Sequence, residues 1–269
     1  MQTQEKSVSC LGPKGSYSQL AAEAMCEGQE IVLMSSFPAV VEALTSGQVD
    51  RAVLPIENSI QGGVLQNLDL IETKEVFAIR EHVLPIDHRL VTRGKIPYKK
   101  IKCIYSHEQA IGQCSEFLEK HFQGVQRIFT RSTAECLEKI GEDSAGIVGG
   151  HVQGDGLVLS EENIANVKNN FTRFMLLERR TNRMPKHSNK VFFCAICAHR
   201  PGALVELLQI FERHGLNLTR IESRPIRESF GKYRFFIEFA GDIGTPIVKT
   251  ALKEAQKFCL RFRVLGAYN

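Results

Sequence analysis

The run Glu178-Arg179-Arg180-Thr181-Asn182-Arg183-Met184-Pro185-Lys186-His187-Ser188-Asn189 constrains this chain most, because it is polar, charged and broken by a proline. Such composition marks a linker, placed at 181–189. After it, apolar runs at 191–197, 216–225, 231–240 and 262–266 enclose helical patterns at 202–214 and 245–258. That order is βαββαβ, the split-βαβ pattern of a ferredoxin-like α+β domain over 190–269. Before the linker, residues 8–178 alternate strand-like runs at 8–11, 31–35, 51–55, 76–84, 103–106, 125–129 and 145–148 with helical stripes such as Phe37, Val40, Val41 and Leu44. Alternation of this kind predicts parallel α/β architecture. It divides into two lobes, the second over about 82–165, with a cleft between them.

The 34 Lys and Arg against 30 Asp and Glu are dispersed, without the basic blocks of nucleic-acid binders. The start MQTQEKSVSC is polar and no 18-residue apolar run follows, so a cytoplasmic protein with no membrane partner is expected. Eight cysteines are scattered, as in reduced intracellular chains. Cys194 and Cys197 form a CxxC inside a predicted strand, where an odd offset sends the side chains to opposite faces. With no second Cys or His pair and no HExxH, neither a metal nor a cofactor is expected.

Four segments carry chemistry. Asn170-Phe171-Thr172-Arg173-Phe174 sets a hydroxyl beside a fixed cation between aromatic rings. Arg173 offers a planar donor fork suited to carboxylates, and Thr172 can exchange a proton with a substrate oxygen. Gly12-Pro13-Lys14-Gly15-Ser16-Tyr17-Ser18 precedes a helix whose first N–H groups suit an anion, or is simply a capped turn. Pro55-Ile56-Glu57-Asn58-Ser59 sits at a strand's C-terminal end, where open α/β sheets bind ligands, and Gly62-Gly63 permit close backbone approach; the alternative is that Asn58 or Ser59 caps the next helix. Ser106-His107-Glu108-Gln109-Ala110-Ile111-Gly112-Gln113 repeats that layout, with Ser106 at a strand end and Gln113 on the helix. No GxSxG elbow accompanies Ser106 and His107. The crowd of glycines from Gly146 to Gly156 reads as turns and an inter-lobe connection, and His151 within it as a loop residue.

Taken together, GPKGSYS, LPIENSIQGGV, SHEQAIGQC and NFTRF resemble, in order and spacing, the prephenate dehydratases. Arg200-Pro201-Gly202-Ala203-Leu204, Asn217-Leu218 and Ile221-Glu222-Ser223-Arg224-Pro225 are similar to the ACT regulatory domain of the same enzymes. The resemblance implies a catalytic region over 7–180 with the two-lobed fold of type 2 periplasmic binding proteins, in a form without fused chorismate mutase helices. It implies conversion of prephenate to phenylpyruvate without a cofactor. Thr172 is then the family's essential threonine, with Glu57, Asn58, Ser106 and Gln113 in the catalytic set. Gly15, Ser16, Ser59, Gly62, Arg173 and Phe174 become substrate-binding positions. The effector L-phenylalanine is implied between paired ACT domains of a dimer or tetramer, at Gly202, Ala203, Leu204, Asn217, Glu222, Ser223, Arg224 and Pro225. Ser16-Tyr17, Gly63, Glu108 and Asn166 depart from the usual family residues, Gly63 replacing a serine in an expected anion-binding loop. Arogenate dehydratase and an inactive amino-acid-sensing binding protein are the competing readings.

Overall fold

The computed structural model describes residues 6–131, 135–181, 184–226 and 232–269. Positions 182 and 183 of the expected linker and Gly231 of an expected strand lie outside these. In chain order the elements are β1 Ser7–Leu11, α1 Tyr17–Met25, β2 Glu30–Met34, α2 Phe37–Thr45, β3 Arg51–Asn58, β4 Gly62–Gly63, α3 Leu65–Thr73 and β5 Val76–Pro85. Next come β6 Arg89–Arg93, β7 Cys103–Ser106, α4 Glu108–Gln113, α5 Ser115–His121, β8 Gln126–Phe129, α6 Cys136–Lys139, β9 Ser144–Val148 and β10 Leu157–Leu159. The last are β11 Phe171–Arg179, β12 Lys190–Ile196, α7 Ala203–Arg213, β13 Leu218–Pro225, β14 Tyr233–Ala240, α8 Pro246–Phe258 and β15 Arg261–Tyr268.

Strand β1 is buried on both faces, as a central parallel strand is, and pairs parallel with β2 and β3. Helix α1 starts where the Ser16 hydroxyl accepts from the Gln19 N–H, and α2 where Ser36 accepts from Ala39. The parallel expectation holds for these strands and for β7 with β8 and β9 in the second lobe. Strand β11 returns antiparallel between β3 and β5, so the sheet is mixed.

A second sheet, in the order β10-β6-β9-β7-β8, builds the other lobe. The chain enters it through residues 86–88, four residues beyond the expected crossing at 82, because β5 runs unbroken to Pro85 against β11. It returns through residues 160–170, and the two crossings are tied where the Ile86 N–H donates to the Asn170 carbonyl (2.8 Å). The helical stretch after β7 divides at Cys114 into α4 and α5. Asn166 gives the second piece its own start by accepting from the Glu116 N–H at 3.1 Å.

The C-terminal sheet has the order β13-β14-β12-β15, with α7 and α8 on one face, which is the expected ferredoxin-like arrangement. Its attachment was not legible. β15 pairs parallel with β5 through Gly266 and Ala78, so one ten-stranded sheet runs through both parts of the molecule. A Cβ on Gly266 would lie 2.6 Å from the Ala78 Cβ, so the seam needs a glycine. One core cluster likewise joins Leu44, Leu54, Leu68 and Met175 to Phe192, Phe236 and Tyr268. Burial of that size makes the C-terminal domain a wall of the first lobe rather than an appendage.

Candidate active site

Side chains alternate across a strand, and β11 uses both faces. Thr172 stands opposite Asn58, and Arg173 opposite Glu57, before a bulge brings Phe174 against Pro55. Thr172 and Phe174 line a cavity of about 360 Å³ between the two lobes, with Ser16, Tyr17 and Asn58 from the first lobe and His107 and Gln113 from the second. Asn58 organises the hydroxyl. Its carbonyl oxygen accepts from the Ile60 and Gln61 N–H groups at 3.0 and 3.1 Å, which fixes the amide. The Nδ2 group donates to Thr172 Oγ1 (2.9 Å), Asn170 Oδ1 (2.7 Å) and the Phe171 carbonyl (3.1 Å). Thr172 Oγ1 is therefore an acceptor from Asn58, and its own hydrogen is available to the cavity.

The second lobe supplies Gln113, whose Oε1 lies 2.8 Å from His88 Nε2. Burial lowers the pKa of His88, against the opposing pull of Gln113 and Asp87, and keeps the ring neutral. His107 caps α4 by accepting from the Gln109 N–H. Arg131 reaches the same cavity with a side chain that is 94% exposed. A wider hollow of about 1140 Å³ adjoins it, sharing Gly12, Pro13 and Arg131. The lobes are held together beside it. Tyr17 donates to the Asp87 carbonyl at 2.7 Å, Asp87 Oδ1 accepts from the Gly150 N–H at 3.0 Å, and His151 Nε2 meets the Gly15 carbonyl at 2.8 Å. His151, given no role from the sequence, thus bridges the lobes.

Several expected site residues lie elsewhere. Arg173 points away from the cavity, because it follows Thr172 by one position on an extended strand. Its guanidinium donates to Glu57 at 2.8 Å, Glu81 at 3.2 Å and both oxygens of Glu238 at 2.9 and 3.0 Å. Glu57 goes with it for the same reason. Ser106 is fully buried and spends its hydrogen on the Ile147 carbonyl (2.7 Å). Ser59 accepts from the Phe171 N–H and donates to Asn170 Oδ1, supporting the Asn58 network from behind. The Gly15 N–H is taken by Gln19 Oε1 at 2.8 Å, so it is not free for an anion. Ser16 borders the cavity, but its hydroxyl donates to the Leu11 carbonyl and accepts from Gln19. Gly62 pairs with Asn58 in the β3–β4 ladder, at positive φ. Gly63 faces the C-terminal domain, not the cleft: a Cβ there would lie 2.8 Å from Arg220 Nη2 and 2.9 Å from Glu222 Oε2.

Arg173 therefore belongs to a buried ionic cluster at the seam. Glu238, 1% exposed, also accepts from Thr219 at 2.6 Å and from the Tyr268 hydroxyl, with Lys190 at 3.7 Å. Burial pushes the Glu238 carboxyl up, but Arg173, the two hydroxyls and Lys190 more than offset it, and the net shift is downward. For Arg173, burial favours the neutral form, and Glu238 outweighs it to hold the charge firmly. A second grip lies nearby. Arg224 is bidentate on Asp69, and Arg234 and Arg261 each reach Glu72 at 2.8 Å, so helix α3 is clamped by C-terminal arginines.

The expected effector residues are divided within one chain. Ala203 and Leu204 line a small pocket of about 130 Å³ next to Gly202, which stands at φ 82° as the cap of α7. Asn217 borders a separate surface hollow beside Leu208 and Leu216. Glu222 and Arg224 face the catalytic lobe, whereas Ser223 and Pro225 are exposed.

A two-lobed α/β protein with a polar interlobe cleft, fused through its sheet to a ferredoxin-like domain, is the class that this fold and site define. The chain matches the family model for prephenate dehydratase over residues 8–182 and the ACT domain model over 193–256. It belongs to the prephenate dehydratase family. A prephenate dehydratase from Amycolatopsis methanolica is 31% identical over 97% of this chain and 88% of that protein. A crystal structure of prephenate dehydratase in complex with L-Phe, from Arthrobacter aurescens, superposes with TM-score 0.85 at 31% identity, covering 97% of this chain and 89% of that one. A structure described as a novel type of quorum-quenching acylase has TM-score 0.86 at 24% identity over 98% of this chain and 97% of that one, a likeness of fold alone.

Proposed function

We propose that the cleft around Thr172 converts prephenate to phenylpyruvate, carbon dioxide and water. The observation that carries this reading is the Thr172 hydroxyl, held as an acceptor by a fixed Asn58 amide and free to donate into the cavity. The ring C–OH bond breaks as Thr172 gives its proton to the departing hydroxyl, which leaves as water. The electron pair of the C–CO₂⁻ bond closes the aromatic ring and carbon dioxide departs. The threonine oxygen then recovers a proton, so one proton is consumed overall. Asn58 stabilises that oxygen while it is short of its proton, and a positioned donor of this kind contributes about 10²–10⁴ in rate. Gln113 supplies amide donors from the opposite lobe. Arg131, in place of the Arg173 expected from the sequence, is the cation at the cavity for a substrate carboxylate.

The ACT domain is the proposed site for L-phenylalanine, supported by the complex named for the Arthrobacter relative. A homo-oligomer is part of the same reading, since Ser223 and Pro225, both expected at the effector site, stand exposed on the outer strand β13. A cytoplasmic location fits a biosynthetic enzyme; none of the described helices is long and apolar enough to cross a membrane. Incubation with prephenate and with arogenate in separate reactions tests the assignment. Phenylpyruvate from prephenate is the expected product. Turnover of arogenate alone would transfer the site to the amino substrate, and turnover of neither would leave a binding protein.

A further inference from the structure

His88 has no assigned role in the sequence reading, yet it is among the most confined polar groups at the cleft. It is 5% exposed and lies on the crossing from the first lobe into the second. Its backbone is held on both sides: the N–H donates to Asn163 Oδ1 at 3.0 Å, and the carbonyl accepts from the Ile164 N–H at 2.8 Å. Asn163 and Ile164 belong to the return crossing, so the imidazole is fixed by both strands of the hinge. The ring also borders the cavity that contains Thr172.

The two ring nitrogens are in different situations. Nε2 is 2.8 Å from Gln113 Oε1, and Nδ1 is buried without a partner. A carbonyl oxygen accepts only, so the proton of the neutral ring sits on Nε2. Once its oxygen is engaged in this way, the Gln113 amide cannot rotate freely about its last torsion, and its NH₂ is turned from His88 toward the cavity. An unanchored glutamine would present oxygen or nitrogen to a substrate with similar ease, since the two ends are alike in size.

We propose that His88 is a positioning residue, which orients the Gln113 amide so that its hydrogens, and not its oxygen, face the substrate. The inference rests on the reaction assigned above. It identifies the hinge as part of the active site, because the group that aims Gln113 sits on the crossing and not on the lobe that carries Gln113.

The test compares His88→Gln, His88→Asn and His88→Leu in the full-length protein. The Gln amide nitrogen occupies roughly the place of Nε2, and the Asn nitrogen that of Nδ1. His88→Leu is expected to lose about tenfold to a hundredfold in kcat/KM, mostly through KM, the scale of one misdirected polar contact. His88→Gln should recover most of that loss and His88→Asn little. In a Gln113→Leu background the His88→Leu change should add less than threefold. Equal losses in Gln and Leu variants of unchanged melting temperature, or full additivity with Gln113→Leu, would overturn the proposal. A second readout does not depend on turnover. The ¹⁵N spectrum of His88 should show the Nε2–H tautomer in the wild type and a mixed population in Gln113→Leu, and a dominant Nδ1–H tautomer in the wild type would equally refute it. A wild type inert towards prephenate would sink the assigned reaction, while the spectrum would still decide the contact.

Discussion

The tripeptide Phe-Thr-Arg occurs twice, at 129–131 and at 171–173, and its two copies meet the cleft in opposite ways. In the second copy Thr172 lines the cavity and Arg173, 12% exposed, is consumed by carboxylates at the domain seam. In the first copy it is the arginine that reaches the cavity, from the loop beyond the edge strand β8, while Thr130 is buried. Strand β11 lies between β3 and β5, with one sheet face open to the cleft and the other covered by the C-terminal domain. A residue pair on such a strand must divide between the two environments. At the end of an edge strand Thr130 turns inward while the long cation of Arg131 stays in solvent, paired only with Glu135 at 3.4 Å among the described residues. Identical local sequence thus gives a proton donor in one place and an exposed cation in the other.

The comparison breaks most sharply at Thr172. Thr172→Ala should lower kcat by about 10²–10⁴ with the melting temperature nearly unchanged, since one hydroxyl and little packing are removed. Turnover within threefold of wild type would return the donor role to another group. Arg173→Met should act the other way, through stability. Removing the cation leaves Glu238 and Glu81 with too few partners, a kind of loss that costs about 3–5 kcal/mol when the charges are buried. Calorimetry reads it directly, and an unchanged melting temperature would mean that the cluster is dispensable.

Acid should weaken the seam through Glu238. The folded-state pKa of Glu238 is depressed, so its contribution is present above the ordinary glutamate range and lost as pH falls through and below it, starting at about 4.3. Wild-type stability should therefore fall more steeply than that of Glu238→Gln between about pH 5 and 3, in chemical denaturation at each pH. Parallel curves would remove Glu238 from the account. Arg131→Ala should raise KM by about tenfold, leaving melting temperature intact, because an exposed cation supports no packing. The smallest effect belongs to Gly63→Ser. The added atoms meet only the flexible ends of Arg220 and Glu222, so about 1 kcal/mol of stability is expected to be lost, near the lower limit for overpacking. A gain in stability would show that the seam accommodates the hydroxyl.

Much of the element order was legible. Strands at Cys103–Ser106 and Val76–Pro85 and the helix at Pro246–Phe258 follow from apolar periodicity and a Thr245 cap, which are local properties. Thr172, Asn58, Gln113 and Phe174 also come together at the cavity as the four motifs suggested. His88 and Arg131 were missed, although Asp87-His88 interrupts an apolar run between two strands and Arg131 follows one. Each carries a signal too short to separate from an ordinary turn.

The chain's own pattern determined that Thr172 and Arg173 would face opposite sides, because a strand alternates whatever surrounds it. It also determined the two-lobed region, the ferredoxin-like domain and the polar stretch between them. Only the tertiary structure decided which of the two faces would be the cleft. That choice depends on Glu238, 65 residues further along, and on the Gly266–Ala78 contact that joins the sheets. No periodicity records a pairing at such a distance, for it is set by what the C-terminal sheet covers and by the cost of leaving buried charges unpaired.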